Sequence, residues 1–544
     1  MAVRDAHEVL NQSPFYVDVD LYASDRPLRE AIAANGSTEP ASVLSAFGRR
    51  WGSAEMMEQG RLANEFPPRL KAFDAKGGRL DVVEFHPAYH RVMAESMESG
   101  LHCMTWRNDG TRAPPPSEVA RAARYYMVAQ IENGHMCPVT MTRAAVGALA
   151  VDPALLSALL PKIAAREYDK SFRPWPDKAS MTIGMGMTEK QGGTDVRANT
   201  TRAVPADGAY LVNGHKWFMS APMCDAFLVL AQAEGGLSCF FMPRFRPDGS
   251  VNGLHFQRLK DKLGNRSNAS SEVEFVDAYA RLLGPEGAGI RTIIEMVQLT
   301  RLDCAVTSAG MMRMALAQAL HHARHRSVFQ RKLVDQPMMH AVLADLALTV
   351  EGAVALAMRL CRAFDQAPRD ANEAAYARLM TAVIKYWICK KAPSFIYEAM
   401  ECLGGNGYVE DSMLPRLYRE APVNAIWEGS GNVMCLDVLR ALSREDEAAR
   451  SILGKLRQQA DGLPGANDAA DRALKILQSR ESEAHARYAV ETLAVIAASA
   501  ALSEHAPSVI CEGFAAAQLG PRGSTFGSGL ERIAAQVLDR ALPA

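Results

Sequence analysis

Close cysteine pairs are missing from this sequence. Its ten cysteines are scattered from Cys103 to Cys511 with no C-x-x-C spacing, which excludes zinc ribbons, redox dithiols and small secreted disulfide scaffolds. Reduced, packed thiols in a cytoplasm are expected instead. An excess of one charge is missing too. The 60 Lys and Arg face 61 Asp and Glu, a net charge of −1, so no global field draws the chain to nucleic acid or an anionic membrane. Long apolar runs are few. The start, MAVRDAHEVLNQS, lacks an apolar signal core, and the run Leu493–Leu502 suits a buried helix rather than a membrane span. A cytoplasmic, soluble protein with no membrane partner is expected.

Nucleotide signatures are incomplete as well. GMGMTE (184–189), GNGYVE (405–410) and GSGNVM (429–434) each lack the third glycine of the dinucleotide fingerprint. His321 and His325 lie four apart, a spacing that can hold a metal, but no third ligand stands nearby and no metal is expected. The two histidines of HPAYH (86–90) read as loop residues.

What is present is a globular composition, 48% apolar and 22% charged. A length of 544 residues implies two to four packed units. Up to about residue 180 the texture is mostly helical: Val119, Ala123, Met127 and Ile131 recur every four residues. Residues 181–290 then read as a small β domain closed by GPEGAG (284–289). Within it, Asn-Gly in AYLVNGHKWFMS predicts a hairpin turn. Residues 291–444 return to long helices, with Leu379, Val383 and Trp387 on one face. An Ala-rich helical extension, 445–544, is broken at DGLPGAND and GPRGSTFGSG.

Three distant segments can carry chemistry. MGMTEKQGGTDV (185–196) offers backbone N–H groups and the hydroxyls of Thr188 and Thr194. HKWFMS (215–220) sets Trp217, Phe218, Met219 and Ser220 on a strand. AIWEGSGNVM (425–434) isolates one acid, Glu428, between Trp427 and Gly429, where desolvation raises a carboxyl toward the range of a general base. Taken singly, these suit an ordinary turn, a core pair and a helix end.

Taken together, they resemble the acyl-CoA dehydrogenase family. MTEKQGGTDV is similar to that family's T-E-P-x-A-G-S-D loop, HKWFMSAP to its K-x-W-I-[TS] strand, and KLGNRSNASSEVEF (262–275) to K-x-G-x-R-x-S-x-x-x-x-V-x-F. Further on, RHRSVFQRKLVDQ is similar to R-x-x-F-G-x-x-I-x-x-x-Q, and LGGNGY…IWEGSGN to its L-G-G-x-G and Y-E-G segments. The wording and the long extension resemble the AidB branch, flavoproteins of the bacterial adaptive response to DNA alkylation.

The resemblance implies a mostly α, α+β fold: N-terminal helical domain (1–180), central β-barrel-like domain (181–290), helical bundle (291–444) and an additional helical domain (445–544). It implies FAD, held by Met185, Met187, Thr188, Gly193, Thr194, Phe218, Met219 and Ser220, with Ser220 bonding flavin N5. Arg326, Phe329, Gln336, Gly404 and Gly405 would grip the far end of a neighbouring subunit's FAD in a homotetramer, and Trp427, Gly429 and Asn432 would meet the cofactor around the base Glu428. Thr300 stands where one branch places its base and cannot act as one. Lys190-Gln191 replaces Pro-Gly, and Gln330 replaces Gly. An acyl-CoA is the implied substrate. The AidB resemblance adds duplex DNA bound by the extension and protection from alkylation. The charge of the extension does not favour that, with ten Lys and Arg against thirteen Asp and Glu. Arg440, the PRG at 521–523, Arg532 and Arg540 are the basic residues able to cluster.

Overall fold

The computed structural model describes residues 8–106, 117–444, 446–479, 482–520 and 533–541. It begins with α1 (Arg26–Ala34), α2 (Ala41–Trp51) and α3 (Ala54–Glu65), then a hairpin of β1 (Arg69–Phe73) and β2 (Arg79–Glu84). Next come α4 (Pro87–Glu98), α5 (Glu118–Ala129), α6 (Met136–Leu149) and α7 (Pro153–Ile163). A run of strands follows: β3 (Ile183–Gly186), β4 (Arg202–Ala206), β5 (Ala209–Ser220), β6 (Ala226–Ala233), β7 (Gly236–Pro243), β8 (Leu254–Leu259) and β9 (Ser270–Leu283). Helices return with α8 (Gly289–His325), interrupted by the short pair β10 (Ser327–Val328) and β11 (Arg331–Lys332). They continue as α9 (Pro337–Gln366), α10 (Ala371–Glu401), α11 (Gly405–Tyr408), α12 (Leu414–Asn424) and α13 (Gly431–Arg444). The extension supplies α14 (Asp446–Gln459), α15 (Ala466–Leu477), α16 (Ser482–Ser503), α17 (Ser508–Leu519) and α18 (Ala534–Ala541). The helix–strand–helix order is the one the sequence predicts. The hairpin β1–β2 breaks the segment expected to be helical.

These elements sort into two compact units. One comprises residues 55–117 and 132–303. Its sheet runs β3-β6-β4-β5-β9-β7, and β6 also pairs with β7, so the strands from β6 round to β7 close on themselves as a barrel. β6 and β7 are buried nearly end to end, which is why AFLVLAQA and LSCFFMP read as continuous apolar runs instead of alternating ones. The Asn-Gly of AYLVNGHKWFMS is not a turn. β5 passes straight through Asn213 and Gly214, with a register shift against β9 at that point. Gly214 takes φ +145°, and a Cβ there would sit 2.6 Å from the Cα of Thr201, so glycine serves close strand approach. The tight turn falls between β4 and β5 instead, where Asp207 and Gly208 both have positive φ.

The other unit comprises residues 1–54, 118–131 and 304–544. Its centre is α9, whose composition and length would allow it to cross a membrane, but 94% of its most apolar window is buried inside the protein. The extension is part of this core. Phe514 of α17 covers Gly352 of α9, where a Cβ would come within 2.3 Å of its ring, and meets Trp387 of α10 edge-on. From α18, Arg540 donates to Glu351 of α9 at 2.8 Å and to Glu30 of α1 at 2.5 Å. Arg313 of α8 is buried against Asp25 at 3.0 Å and donates to the backbone carbonyl of Ala541. These two arginines tie the end of the chain to its beginning.

Candidate functional site

In the barrel unit, β3 runs parallel to β6 and delivers Met185, Met187 and Thr188 to one end of the sheet. The loop beyond is held from inside. Glu189 is fully buried and accepts from the Lys216 ammonium (2.8 Å), the Thr200 N–H (2.7 Å) and hydroxyl (3.0 Å), and Gln191 Nε2 (3.0 Å). Lys216, equally buried, also donates to the Leu230 carbonyl at 2.7 Å. Burial pushes the Lys216 ammonium down to about 8. For Glu189 burial acts upward, but the Lys216 charge and its hydrogen bonds outweigh it and hold the carboxyl well below the usual range. Of the pair, the anionic Glu189 facing a cationic Lys216 is the state these contacts support.

The loop's outer side is open. The Trp217 N–H donates to the Thr188 carbonyl at 2.8 Å, and Asn199 donates to the Met187 carbonyl at 3.0 Å. Gly193 leaves room for Thr188, because a Cβ at 193 would lie 2.3 Å from the Thr188 hydroxyl. Thr194 is exposed.

β5 carries a bulge between Lys216 and Met219, so Trp217 and Phe218 leave the regular ladder with β9. Phe218 is 50% exposed, a large aromatic face in need of a cover. Cations gather over the pair: Lys260 Nζ stands 3.4 Å from the Trp217 ring centre and 4.6 Å from that of Phe218, and Lys190 stands 5.8 Å from Trp217. Met219 is buried, with its sulfur against Gly186. Its carbonyl accepts from the Ser271 hydroxyl at 2.9 Å, so the residue is part of the core beneath the strand end. The Ser220 hydroxyl ends the strand 3.3 Å from that of Ser270.

Beside this strand end lies a cavity of about 690 Å³, lined by Tyr89, His90, Met93, Tyr168, Ala221 and Met223 among others. His90 Nδ1 lies 3.0 Å from the Tyr168 hydroxyl. Burial pushes His90 down to about 4, with Lys170 adding to it. His86, from the same HPAYH, caps α4 through its ring nitrogen.

In the helical unit, Glu428 occupies the turn between α12 and α13 with φ +58°, followed by Gly429 at +109°. Asp and Asn enter this region readily, but a longer side chain such as Glu seldom does, and it marks a constrained position. Lys385 of α10 donates to the carbonyls on either side, Trp427 at 2.7 Å and Gly429 at 2.5 Å. Trp427 donates from its ring to Asn424 at 2.9 Å. Asn432 accepts from Arg487 of α16 at 2.8 Å, so the extension reaches the segment that carries the acid. Thr300 is buried and its hydroxyl donates to the Val297 carbonyl.

The remaining expected residues lie around the β10–β11 hairpin and at the start of α11. Phe329 and Gln330 make the tip between β10 and β11, at φ +50° and +63°. Phe329 is 92% exposed. Gln330 thus holds a left-handed geometry that glycine adopts freely. Gln336 donates to the Val328 carbonyl, and Arg326 to that of Asn11. Gly404 (φ +60°) and Gly405 have open space where a side chain would be. His321 and His325 bond backbone carbonyls, of Pro14 and His321 respectively. Sequence reasoning passed over Lys216 and Lys385. Each lies in an apolar pattern, and only its burial beside carbonyls or a carboxylate shows its use.

The chain matches the family description "Adaptive response protein AidB N-terminal domain" over residues 11–170. It matches the middle and C-terminal domains of acyl-CoA dehydrogenase over 184–278 and 287–443. It is 46% identical to the putative acyl-CoA dehydrogenase AidB of Escherichia coli, over 95% of each chain. It is also 32% identical to acyl-CoA dehydrogenase family member 11 of Caenorhabditis elegans, over 84% of this chain and 76% of that one. Among solved structures, Caenorhabditis elegans ACDH-11 in complex with C11-CoA is similar at a TM-score of 0.85 and 27% identity, covering 98% of this chain and 97% of the other. The chain belongs to the acyl-CoA dehydrogenase family, as an FAD-dependent oxidoreductase of the AidB type.

Proposed function

We propose that this protein oxidises the acyl group of a coenzyme A thioester, with Glu428 taking the proton α to the carbonyl. The observation that carries this reading is the backbone at Glu428: one acid, held left-handed in a turn between two helices, with a buried lysine on both flanking carbonyls. Such strain persists where neighbouring structure fixes it, and it clusters at functional sites. The related structure with bound C11-CoA supports a thioester as the ligand class.

The barrel residues fit FAD. Phe218 offers an exposed aromatic face, the Thr188 loop offers hydroxyl and backbone donors beside a glycine that keeps the space clear, and Ser220 offers a hydroxyl. When bound, FAD supplies the acceptor for a hydride from the β-carbon. The protein's part is to orient the thioester, to take the α-proton at a Glu428 oxygen, and to meet the charge that develops on the carbonyl oxygen with a backbone donor. Lys190 and Gln191 keep the loop's inner attachment: Gln191 bonds Glu189, and Lys190 lies over Trp217.

A homotetramer and cytoplasmic residence belong to the same proposal. Phe329 at an exposed, left-handed tip and the open Gly404-Gly405 support contact with a neighbouring subunit's cofactor. Ten free, buried cysteines suit a reducing compartment.

The extension's observations support packing over duplex-DNA binding. Arg540 is 4% exposed and paired with Glu351 and Glu30, Arg457 pairs with Asp471, Arg440 with Asp437, and Arg487 bonds Asn432. The PRG at 521–523 and Arg532 lie outside the described residues. Protection against alkylation would on this reading come from chemistry at the flavin site. The test is anaerobic mixing with acyl-CoAs of increasing chain length. Loss of flavin absorbance supports the proposal, and no loss with any of them rejects it in favour of a non-catalytic flavoprotein.

A further inference from the structure

Lys385 sits in the middle of α10 and is 1% exposed. A buried ammonium must satisfy its hydrogen-bonding groups inside the protein. Its acceptors are the Trp427 carbonyl at 2.7 Å and the Gly429 carbonyl at 2.5 Å. These are the two carbonyls that bracket Glu428, whose φ of +58° is the left-handed value a side chain other than glycine rarely adopts. One atom of one side chain therefore spans the strained residue.

The same helix closes the far side of the turn. At Gly431 a Cβ would lie 3.1 Å from Lys390 Cε and 3.2 Å from Tyr386 Cε2. On the near side the Trp427 indole is fixed by Asn424. The turn is held before, at and after the acid.

The peptide group between Trp427 and Glu428 has the lysine on its oxygen and the Glu428 N–H at its other end. A charged donor on a peptide oxygen polarises the group and makes its N–H a stronger donor. The proposed reaction needs a backbone donor at the thioester oxygen, and the N–H of the residue whose carboxylate takes the neighbouring α-proton is the donor assigned to it.

We infer that Lys385 is a positioning residue for the reaction: it fixes the left-handed turn that aims the Glu428 carboxylate and strengthens the Glu428 N–H as a donor to the thioester oxygen. The inference rests on Glu428 being the base. It assigns Lys385 no contact with the substrate, so its loss should slow the chemical step and leave binding nearly unchanged.

The test uses the full-length, FAD-loaded protein with Lys385→Met and Lys385→Arg. Amide hydrogen exchange at residues 426–431 is compared with that of α9, and anaerobic flavin bleaching is measured with the acyl-CoA that reduces the wild type fastest. Lys385→Met should keep its FAD and the protection of α9, exchange faster in the turn by about tenfold or more, and bleach on the order of 10- to 100-fold more slowly at nearly unchanged KM. Lys385→Arg keeps the charge, but its planar fork cannot place one nitrogen between the two carbonyls. It should show the same signature to a lesser degree, and it decides the matter if the Met variant does not fold. Unchanged exchange in the turn, or a bleaching rate equal to wild type in a variant that folds, overturns the inference. If no acyl-CoA bleaches the wild type, the dehydrogenase reading has failed, while the exchange measurement still decides whether Lys385 holds the turn.

Discussion

Lys216 and Glu189 meet at 2.8 Å with neither side chain reaching solvent, and through this contact the loop that begins at Thr188 is anchored to the floor of β5. Removing one partner strands the other as a buried charge, which costs about 3–5 kcal/mol. Glu189→Gln should lower the denaturation midpoint accordingly and reduce the FAD retained on purification. A variant with wild-type stability and full flavin content would show that the pair does not organise the loop.

The pH dependence of that pair has a definite sign. The Glu189 carboxyl is held below its ordinary value, so the unfolded chain takes up the proton first as pH falls. Its contribution is complete above about pH 4.3, the ordinary value for Glu, and is lost in more acidic solution. The stabilities of wild type and Glu189→Gln should therefore differ by a constant amount above that pH and converge as the pH falls below it.

His90 faces the cavity and is held down to about 4 by burial. Neutral His90 favours the folded state, so its contribution is complete above about 6.5 and declines as pH falls from there toward about 4. Imidazole NMR shifts should show one histidine that stays uncharged at pH 5 and is absent from the spectrum of His90→Gln. A His90 that titrates near 6.5 contradicts the packing described for Tyr168 and α4.

Gly193 and Thr188 test the loop's outer face. A Cβ at 193 would fall 2.3 Å from the Thr188 hydroxyl, closer than any real contact. Gly193→Ala should shift Thr188 and weaken flavin retention, read as the ratio of bound FAD to protein. Gly405→Ala, with open space around it, should leave the isolated chain's stability unchanged.

Arg540 separates packing from DNA binding as the role of the extension. Arg540→Ala leaves Glu351 buried and should cost about 3–5 kcal/mol. The wild-type protein should pass a duplex-DNA resin unretained at about 0.15 M salt. Salt-dependent retention that persists in Arg540→Ala and disappears when Arg522 and Arg532 are replaced would assign DNA binding to that segment.

Much of this was legible in the residues. The order of helices and strands follows apolar spacing. The Asn-Gly in β5 misled because glycine answers two different needs. At 214 it allows a neighbouring strand to approach, and at 208 it makes the turn. The hairpin β1–β2 was missed because its strands are short and mostly half-buried or exposed, so their alternation carries little apolar signal. Lys216 stands in a motif, but neither its buried partner nor that of Lys385 could be read. A buried lysine is recognised by what surrounds it, a carboxylate in one case and two carbonyls in the other, and those partners lie 27 and more than 40 residues away in sequence. Arg540 shows the same limit in reverse: as a sequence it is one more basic residue of the extension, and in the fold it is an internal ion pair.

The most direct test of the central claim is the anaerobic reaction of the FAD-loaded protein with a series of acyl-CoAs, run beside Glu428→Gln. The account predicts that the wild type loses its oxidised flavin absorbance with at least one chain length. It also predicts that Glu428→Gln keeps its FAD and its stability and fails to bleach. Bleaching at an equal rate in the variant would contradict Glu428 as the base, and the absence of bleaching in the wild type with every acyl-CoA would contradict thioester oxidation itself.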